Sequence, residues 1–265
     1  MNTVTSKDGT KIAYDKVGEG PAVILVDGAT ATRASDVELA GLLAPHLTVY
    51  SYDRRGRGDS TDTKPFSVEK EIEDIEALID EAGGPACVYG ISSGGALALE
   101  AASKLGNKVK KLALYEIPYD SSEAGIKAWK DYTTNLAEAL AADDRGTAAA
   151  LFMKFVGVPD DMIEGMRKSP FWASMEAVAP TLVYDAAALG EERLVPAERA
   201  GKITAKTLVM DGGASAEAMP FMSASAEQVA KTIPGAQRQT VEGQSHDVDP
   251  KVLAPVLAEF FSSEN

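Results

Sequence analysis

Cys87-Val88-Tyr89-Gly90-Ile91-Ser92-Ser93-Gly94-Gly95 is the stretch on which the reading of this chain turns. A short apolar run, Ala86 to Tyr89, reads as a strand, and an alanine-rich run, Gly95 to Lys104, reads as a helix. Between them lies Gly-x-Ser-x-Gly. A strand that turns sharply into a helix holds the residue at its tip in a strained backbone conformation, and side chains two positions before and two after would collide. Glycine at 90 and 94 removes both collisions. A helix that starts at the serine turns its free N–H groups and the positive end of its dipole toward any charge developing there. Ser92 is therefore the candidate nucleophile, because strand, turn and helix are the context that gives so short a motif its meaning.

Working outward, the N-terminal residues 2–17 alternate and turn at Asp8-Gly9, predicting a hairpin of Thr3–Ser6 and Lys11–Lys16. Ala22–Val26 is a solid apolar run, as in a strand buried on both faces. Asp36–Leu43 has helical spacing with Ser35 or Asp36 as cap, and Leu47–Tyr52 reads as the next strand. The charged loop Asp53-Arg54-Arg55-Gly56-Arg57-Gly58-Asp59-Ser60 lacks Gly-x-x-x-x-Gly-Lys-Ser/Thr and has no helix directly behind it, so it reads as structural rather than phosphate-binding. Glu69–Ile79 is an acidic amphipathic helix. Val109–Tyr115 is a strand that runs into Glu116-Ile117-Pro118.

From about 121 to 200 the strand runs stop. Helical segments, broken at Gly146, Gly157-Val158-Pro159 and Ser169-Pro170, carry many large apolar residues, and this region reads as a helical cap inserted into a core of residues 1–120 and 201–265. Trp129, Met153, Phe171 and Trp172 are its candidates for an apolar substrate lining. Strand character returns at Lys206–Met210, a helix follows at Phe221–Lys231, and a short strand, Gln237–Val241, leads to His246 before a last helix, Pro250–Phe261. Alternating strands and helices predict an α/β fold with a mostly parallel sheet covered on both faces.

The 265 residues are enough for one large core with a modest insertion, and the net charge of −14 argues against nucleic acid or an anionic membrane surface as partner. Cys87, the single cysteine, has no internal partner and reads as structural. No apolar run approaches the roughly 20 residues that span a bilayer. The first residues have no hydrophobic signal core, so a cytoplasmic location is expected.

This arrangement resembles the α/β-hydrolases: a serine elbow after the fifth strand, a cap after the next, and a late histidine. The resemblance covers nearly the whole chain, and Asp53 to Ser60 is similar to the D-x-R-G-x-G-x-S loop of that superfamily. It implies the α/β-hydrolase fold and the chain order nucleophile, acid, histidine. Only His46 and His246 exist. His46 precedes the elbow and reads as a surface or packing residue, which leaves His246 as the base. The acid usually follows the next-to-last strand, where this chain has Ala214 and Ser215. Asp211 would sit on the strand itself, and Asp247 and Asp249 are too close to His246 in sequence, so Glu116 remains.

The set Asp27-Gly28, Gly90-x-Ser92-Ser93-Gly94, Glu116-x-Pro118, Gly213-Ala214-Ser215 and Pro170-Phe171-Trp172 is similar to the zearalenone-type lactonases. That likeness implies Glu116 as triad acid and Trp172 as a substrate wall. The expected activity is that of a serine hydrolase acting on an ester or lactone of a small, largely apolar molecule. Backbone N–H groups of Ser93 and of Gly28 or Ala29 would form the oxyanion hole, and no metal or organic cofactor is called for. C–C bond hydrolysis, a cofactor-free perhydrolase activity and a hydrolase-like ligand receptor are the alternatives. The expected partner is a small-molecule substrate, and the expected state a monomer or small homo-oligomer.

Overall fold

A computed structural model describes residues 1–263. Eight strands form one sheet: β1 (Asn2–Thr5), β2 (Lys11–Val17), β3 (Ala22–Val26), β4 (Thr48–Tyr52), β5 (Ala86–Ile91), β6 (Val109–Tyr115), β7 (Lys206–Gly212) and β8 (Gln237–Val241). Their order is β1-β2-β4-β3-β5-β6-β7-β8. The pairs β1–β2 and β2–β4 are antiparallel and the remaining pairs parallel. The helices, in chain order, are α1 (Val37–Leu43), α2 (Val68–Glu81), α3 (Ser92–Leu105), α4 (Glu123–Ala141), α5 (Arg145–Phe155), α6 (Asp160–Met166), α7 (Phe171–Val178), α8 (Leu182–Leu189), α9 (Ala197–Ala200), α10 (Ser215–Ala218), α11 (Phe221–Thr232) and α12 (Pro250–Ser262). Among the described residues no helix is long and apolar enough to cross a membrane.

The solid apolar strands follow from burial on two faces. In β3, Ile24 and Val26 pack into the cluster that holds α2 and α3, whereas Val23 and Leu25 face the cluster of α1 and α12. In β5, Val88 and Tyr89 divide in the same way, and in β6 so do Leu112 and Ala113. Alternation sends successive side chains to opposite faces, so a strand covered on both sides has to be apolar throughout. Cys87 belongs to this packing, a buried free thiol in β5.

Some local readings shift. The Ser67 hydroxyl accepts from the Lys70 amide and starts α2 one residue before Glu69. Asp36 does occupy the N-cap of α1, yet its side chain makes no capping hydrogen bond; it is buried against Asp27 instead. Between β6 and β7 there are helices only. The first break lies at Ala142–Asp144 rather than at Gly146: Asp143 takes φ +53° and the Asp144 carboxylate accepts from the Thr147 amide. Gly146 lies within α5, where an added Cβ would stand 2.9 Å from the Glu176 carboxylate. This helical stretch meets the core chiefly through α8, which lies on α3.

Candidate active site

The sharp turn at the carboxyl end of β5 is built as the sequence implies. Ile91 is extended, Ser92 takes φ +57°, and α3 begins at once. A Cβ at Gly90 would stand 2.6 Å from the Gly94 carbonyl oxygen, and one at Gly94 would stand 2.2 Å from that of Val26. The two glycines therefore seat the helix directly on β3 and β5. Gly28 follows β3, and a Cβ there would come within 2.9 Å of Ser92 Cβ. Backbone after β3 thus lies against the serine, as an oxyanion loop requires.

That loop is gripped from behind by the arginine-rich segment that follows β4. Arg57 Nη1 donates to the Gly28 carbonyl at 2.6 Å, and Arg54 Nη1 to the Asp27 carbonyl at 3.3 Å. In a trans peptide the N–H points opposite to the C=O, so fixing the Gly28 carbonyl also fixes the direction of the Ala29 N–H. Both arginines converge on Asp185 of α8, whose Oδ1 accepts from Arg54 at 2.5 Å and whose Oδ2 accepts from Arg57 at 2.6 Å. The same Oδ1 accepts from the Ser93 hydroxyl at 2.8 Å. Burial alone would raise the Asp185 carboxyl, but Arg57, Arg54 and Ser93 hold it below the ordinary range. Arg54 is further paired with Glu71 at 2.8 Å through both oxygens, so the loop is structural through buried ion pairs.

Glu116 directly follows β6 with φ +46° and is 2% exposed. Its Oε2 lies 2.8 Å from His246 Nδ1, and its Oε1 accepts from the Gly212 amide at 2.8 Å. Burial raises this carboxyl, yet hydrogen bonding to His246 and to the Gly212 amide outweighs it and lowers its pKa. Ser215 thus stands where the acid of this fold usually lies, buried, with its hydroxyl making no hydrogen bond among the described residues. The His246 loop is tied to the sheet end: Tyr115 Oη donates to the Ser245 carbonyl at 2.7 Å, and the Ala214 amide to that of Gln244 at 2.8 Å.

Asp211, Asp249 and Asp27 are engaged elsewhere. Asp211 is buried within β7 and accepts from Arg238 and Thr240. Asp249 caps α12 through the Lys251 amide. Asp27 is buried against Asp36; burial pushes its carboxyl up to about 6, and Asp36 stands well above the usual value. His46 is exposed on the far side of α1 in sequence and does not reach the site.

A cavity of about 920 Å³ opens over this arrangement. Ser92, Ser93, Gly28, Ala29 and His246 line it, together with Trp129. Three other candidates from the helical region do not. Trp172 is buried within that region, donating to Glu176 at 3.0 Å with the Arg167 guanidinium over its ring. Phe171 points outward, 49% exposed, and Met153 packs inside the helical layer. Their apolar character therefore serves packing or surface, not the cavity wall. Phe155, Phe221 and Tyr132 line it instead, with Asp185 and Arg193. Phe155 is the stacking partner of Tyr132, with ring centroids 4.5 Å apart. Helical spacing alone does not say which face of α4 and α5 looks inward. Among the described residues no group of three or more His, Cys, Asp or Glu is placed to hold a metal ion.

The fold and the elbow geometry agree with the sequence comparisons. The model of the Alpha/beta hydrolase family matches residues 23–256, and the chain belongs to that family. It is similar, at 48% identity, to the crystal structure of an alpha/beta hydrolase from Sphaerobacter thermophilus, with a TM-score of 0.86 over 98% of this chain and 100% of the other. A thermophilic esterase from Thermogutta terrifontis shares the fold at 24% identity, with a TM-score of 0.72 over 98% and 97% of the two chains. Among curated relatives, the proline iminopeptidase PfmaB of Pestalotiopsis fici is 32% identical over 114 residues, which span 40% of this chain and 41% of that protein.

Proposed function

We propose that this α/β-hydrolase is a serine hydrolase that cleaves an ester or lactone of a small, largely apolar molecule. The observation that carries the reading is the 2.8 Å contact of Glu116 with His246 Nδ1 on the cavity that Ser92 lines. In this reading Glu116 accepts from Nδ1–H and so leaves Nε2 as the basic nitrogen. Nε2 takes the proton from the Ser92 hydroxyl as Oγ attacks the carbonyl carbon. The oxyanion is met by the N–H groups of Ser93 and of Gly28 or Ala29. His246 then returns its proton to the leaving oxygen, and the acyl group stays on Ser92. Water attacks that ester, again losing its proton to His246, and the acid leaves as Oγ regains the proton.

The helices between β6 and β7, residues 121–200, act in this account as the cap that shapes the pocket. Trp129, which lines the cavity, is its substrate-facing member from the sequence-based set. The chemistry is supplied by the chain's own groups. The partner is a small molecule, the location cytoplasmic, and the state a monomer or small homo-oligomer. The reading is tested with purified protein and a panel of p-nitrophenyl esters, aliphatic lactones and vinylogous diketones, beside Ser92→Ala. Turnover of esters or lactones that is lost in the variant supports it. Turnover confined to diketones, or none across the panel, overturns it.

A further inference from the structure

Among the described residues four arginines are buried: Arg54, Arg55, Arg57 and Arg193. The first three are committed to acceptors of the protein. Arg54 is held by Glu71 and Asp185, Arg55 by Asp74 and Asp8, and Arg57 by Asp185, Thr181 and the Gly28 carbonyl. Arg193 is different. Its Nη2 donates to Asp120 at 3.2 Å, and its Nε is sealed from solvent without a partner. Among the described residues no acceptor meets Nη1, yet that atom is not sealed off as Nε is. A buried guanidinium with open donors is costly unless something else satisfies it.

Arg193 is also the one arginine or lysine among the described residues lining the cavity. Three aromatic rings that line the same cavity surround its guanidinium carbon: Trp129 at 5.5 Å, Phe155 at 5.2 Å and Phe221 at 5.2 Å. They stabilise the cation without using its in-plane donors. The backbone holds it there at φ +54°, an uncommon conformation for a residue with a side chain. The Asp120 amide donates to the Arg193 carbonyl at 3.0 Å, so the cation and its single acid partner are mounted together.

We propose that Arg193 binds a carboxylate at the end of the substrate remote from the bond that is broken, so that the natural ester or lactone carries an acid group. This deepens the serine hydrolase reading and rests on it for the identity of the cavity. A carboxylate suits the site because a guanidinium in a water-poor, aromatic setting forms its strongest hydrogen bonds with an anion. The acids of the wall do not forbid it. Asp185 is countered by Arg54 and Arg57, Asp120 by Arg193, Asp27 faces Asp36, and Asp247 is exposed to solvent. A neutral ester of equal length leaves the Nη1 donor unmet and is the poorer substrate.

The test has one arm that needs turnover and one that does not. In the first, kcat/KM is measured for the monomethyl esters of glutaric, adipic and suberic acid beside methyl alkanoates of matched chain length. The expected result is a preference of about tenfold to a hundredfold for the acid-bearing ester at one length, reversed in Arg193→Met. In the second, glutarate, adipate and suberate are titrated calorimetrically into the wild type and Arg193→Met, with Arg193→Lys as the variant that keeps the charge. The expected result is a Kd at least about tenfold weaker in Arg193→Met, partly restored by lysine. Preference for the uncharged esters at every length, or equal diacid binding in wild type and Arg193→Met, overturns the proposal. If no ester is hydrolysed but diacid binding still depends on Arg193, the hydrolase reading fails and the carboxylate site stands.

Discussion

Asp185→Asn tests how far a residue from the helical region governs the chemistry at the elbow. Asp185 is 4% exposed, and its wild-type carboxylate accepts from Arg54, Arg57 and the Ser93 hydroxyl. Arg54 keeps its two bonds to Glu71 in the variant, but Arg57 faces only neutral acceptors: Thr181, the Gly28 and Ala31 carbonyls and whatever the one amide oxygen of the new side chain can offer. Leaving one buried cation without its anion costs about 3–5 kcal/mol. For a chain of this size that lowers Tm by roughly 6–20 °C. The effect on rate follows from the same bonds. Losing an oxyanion donor outright costs about 10²–10³ in kcat. Here the donors at Ser93 and after Gly28 are loosened rather than deleted, so kcat falls about tenfold to a hundredfold while KM changes by less than about threefold.

The pH dependence adds a sign. The Asp185 carboxyl is held below its usual value in the folded protein, so its stabilisation is present above the unfolded pKa and is lost as pH falls through the folded one. The gap in Tm between wild type and variant is therefore constant from pH 5 to 8 and narrows in more acid solution. Calorimetric unfolding and p-nitrophenyl ester kinetics at 25 °C, where both forms are folded, supply the readouts. An unchanged Tm refutes the buried network. A lowered Tm with unchanged kcat confines Asp185 to holding the helices on the core.

Three further outcomes are expected. Glu116→Gln loses about 10⁴-fold in turnover with its fold intact, because Nδ1 no longer faces an anion, whereas Asp211→Asn keeps most of its activity; comparable losses in the two would remove Glu116 from the mechanism. Asp27 is pushed up to about 6 by burial beside Asp36, so the stability it contributes is present at low pH and lost as pH rises through that value. Asp27→Asn accordingly gains Tm relative to wild type at pH 8 and less at pH 5, and a gain of equal size at both would show that the carboxyl does not titrate there. Trp129→Ala changes the ranking of substrates by size, while Trp172→Ala, which removes a buried ring outside the cavity, lowers stability by about 3–5 kcal/mol and leaves the ranking alone; a ranking altered only by Trp172→Ala would put the cavity wall elsewhere.

The core was legible because its signals are local. Ala22–Val26 matches its strand to the residue, since a buried apolar run bounded by turns has few other forms, and Gln237–Val241 matches as well although that strand is polar and mostly exposed. Ser92 was legible because glycines at 90 and 94 answer a steric demand that acts over two residues. Glu116 and His246 stand 130 residues apart, and the hydrogen bond between them came into view only through the absence of an acid at 214 and 215 and the shortage of histidines. The helical region was the opposite case. Its large apolar residues are needed equally for packing and for a cavity wall, so Trp172 and Phe155 look alike in sequence although only Phe155 lines the cavity. Asp185 and Arg193 were missed for a related reason. A lone charge within a helical stretch reads as solvated, and the partners that bury Asp185 come from a loop more than 120 residues away.

The measurement that bears most directly on the account is covalent labelling of the elbow serine. Wild-type protein is incubated with a fluorophosphonate, its intact mass is recorded, and the modified peptide is mapped. One added group is expected, on Ser92, formed at a rate that drops sharply in Glu116→Gln and in a His246→Ala variant. An unmodified protein, or a label carried by a residue other than Ser92, would contradict it.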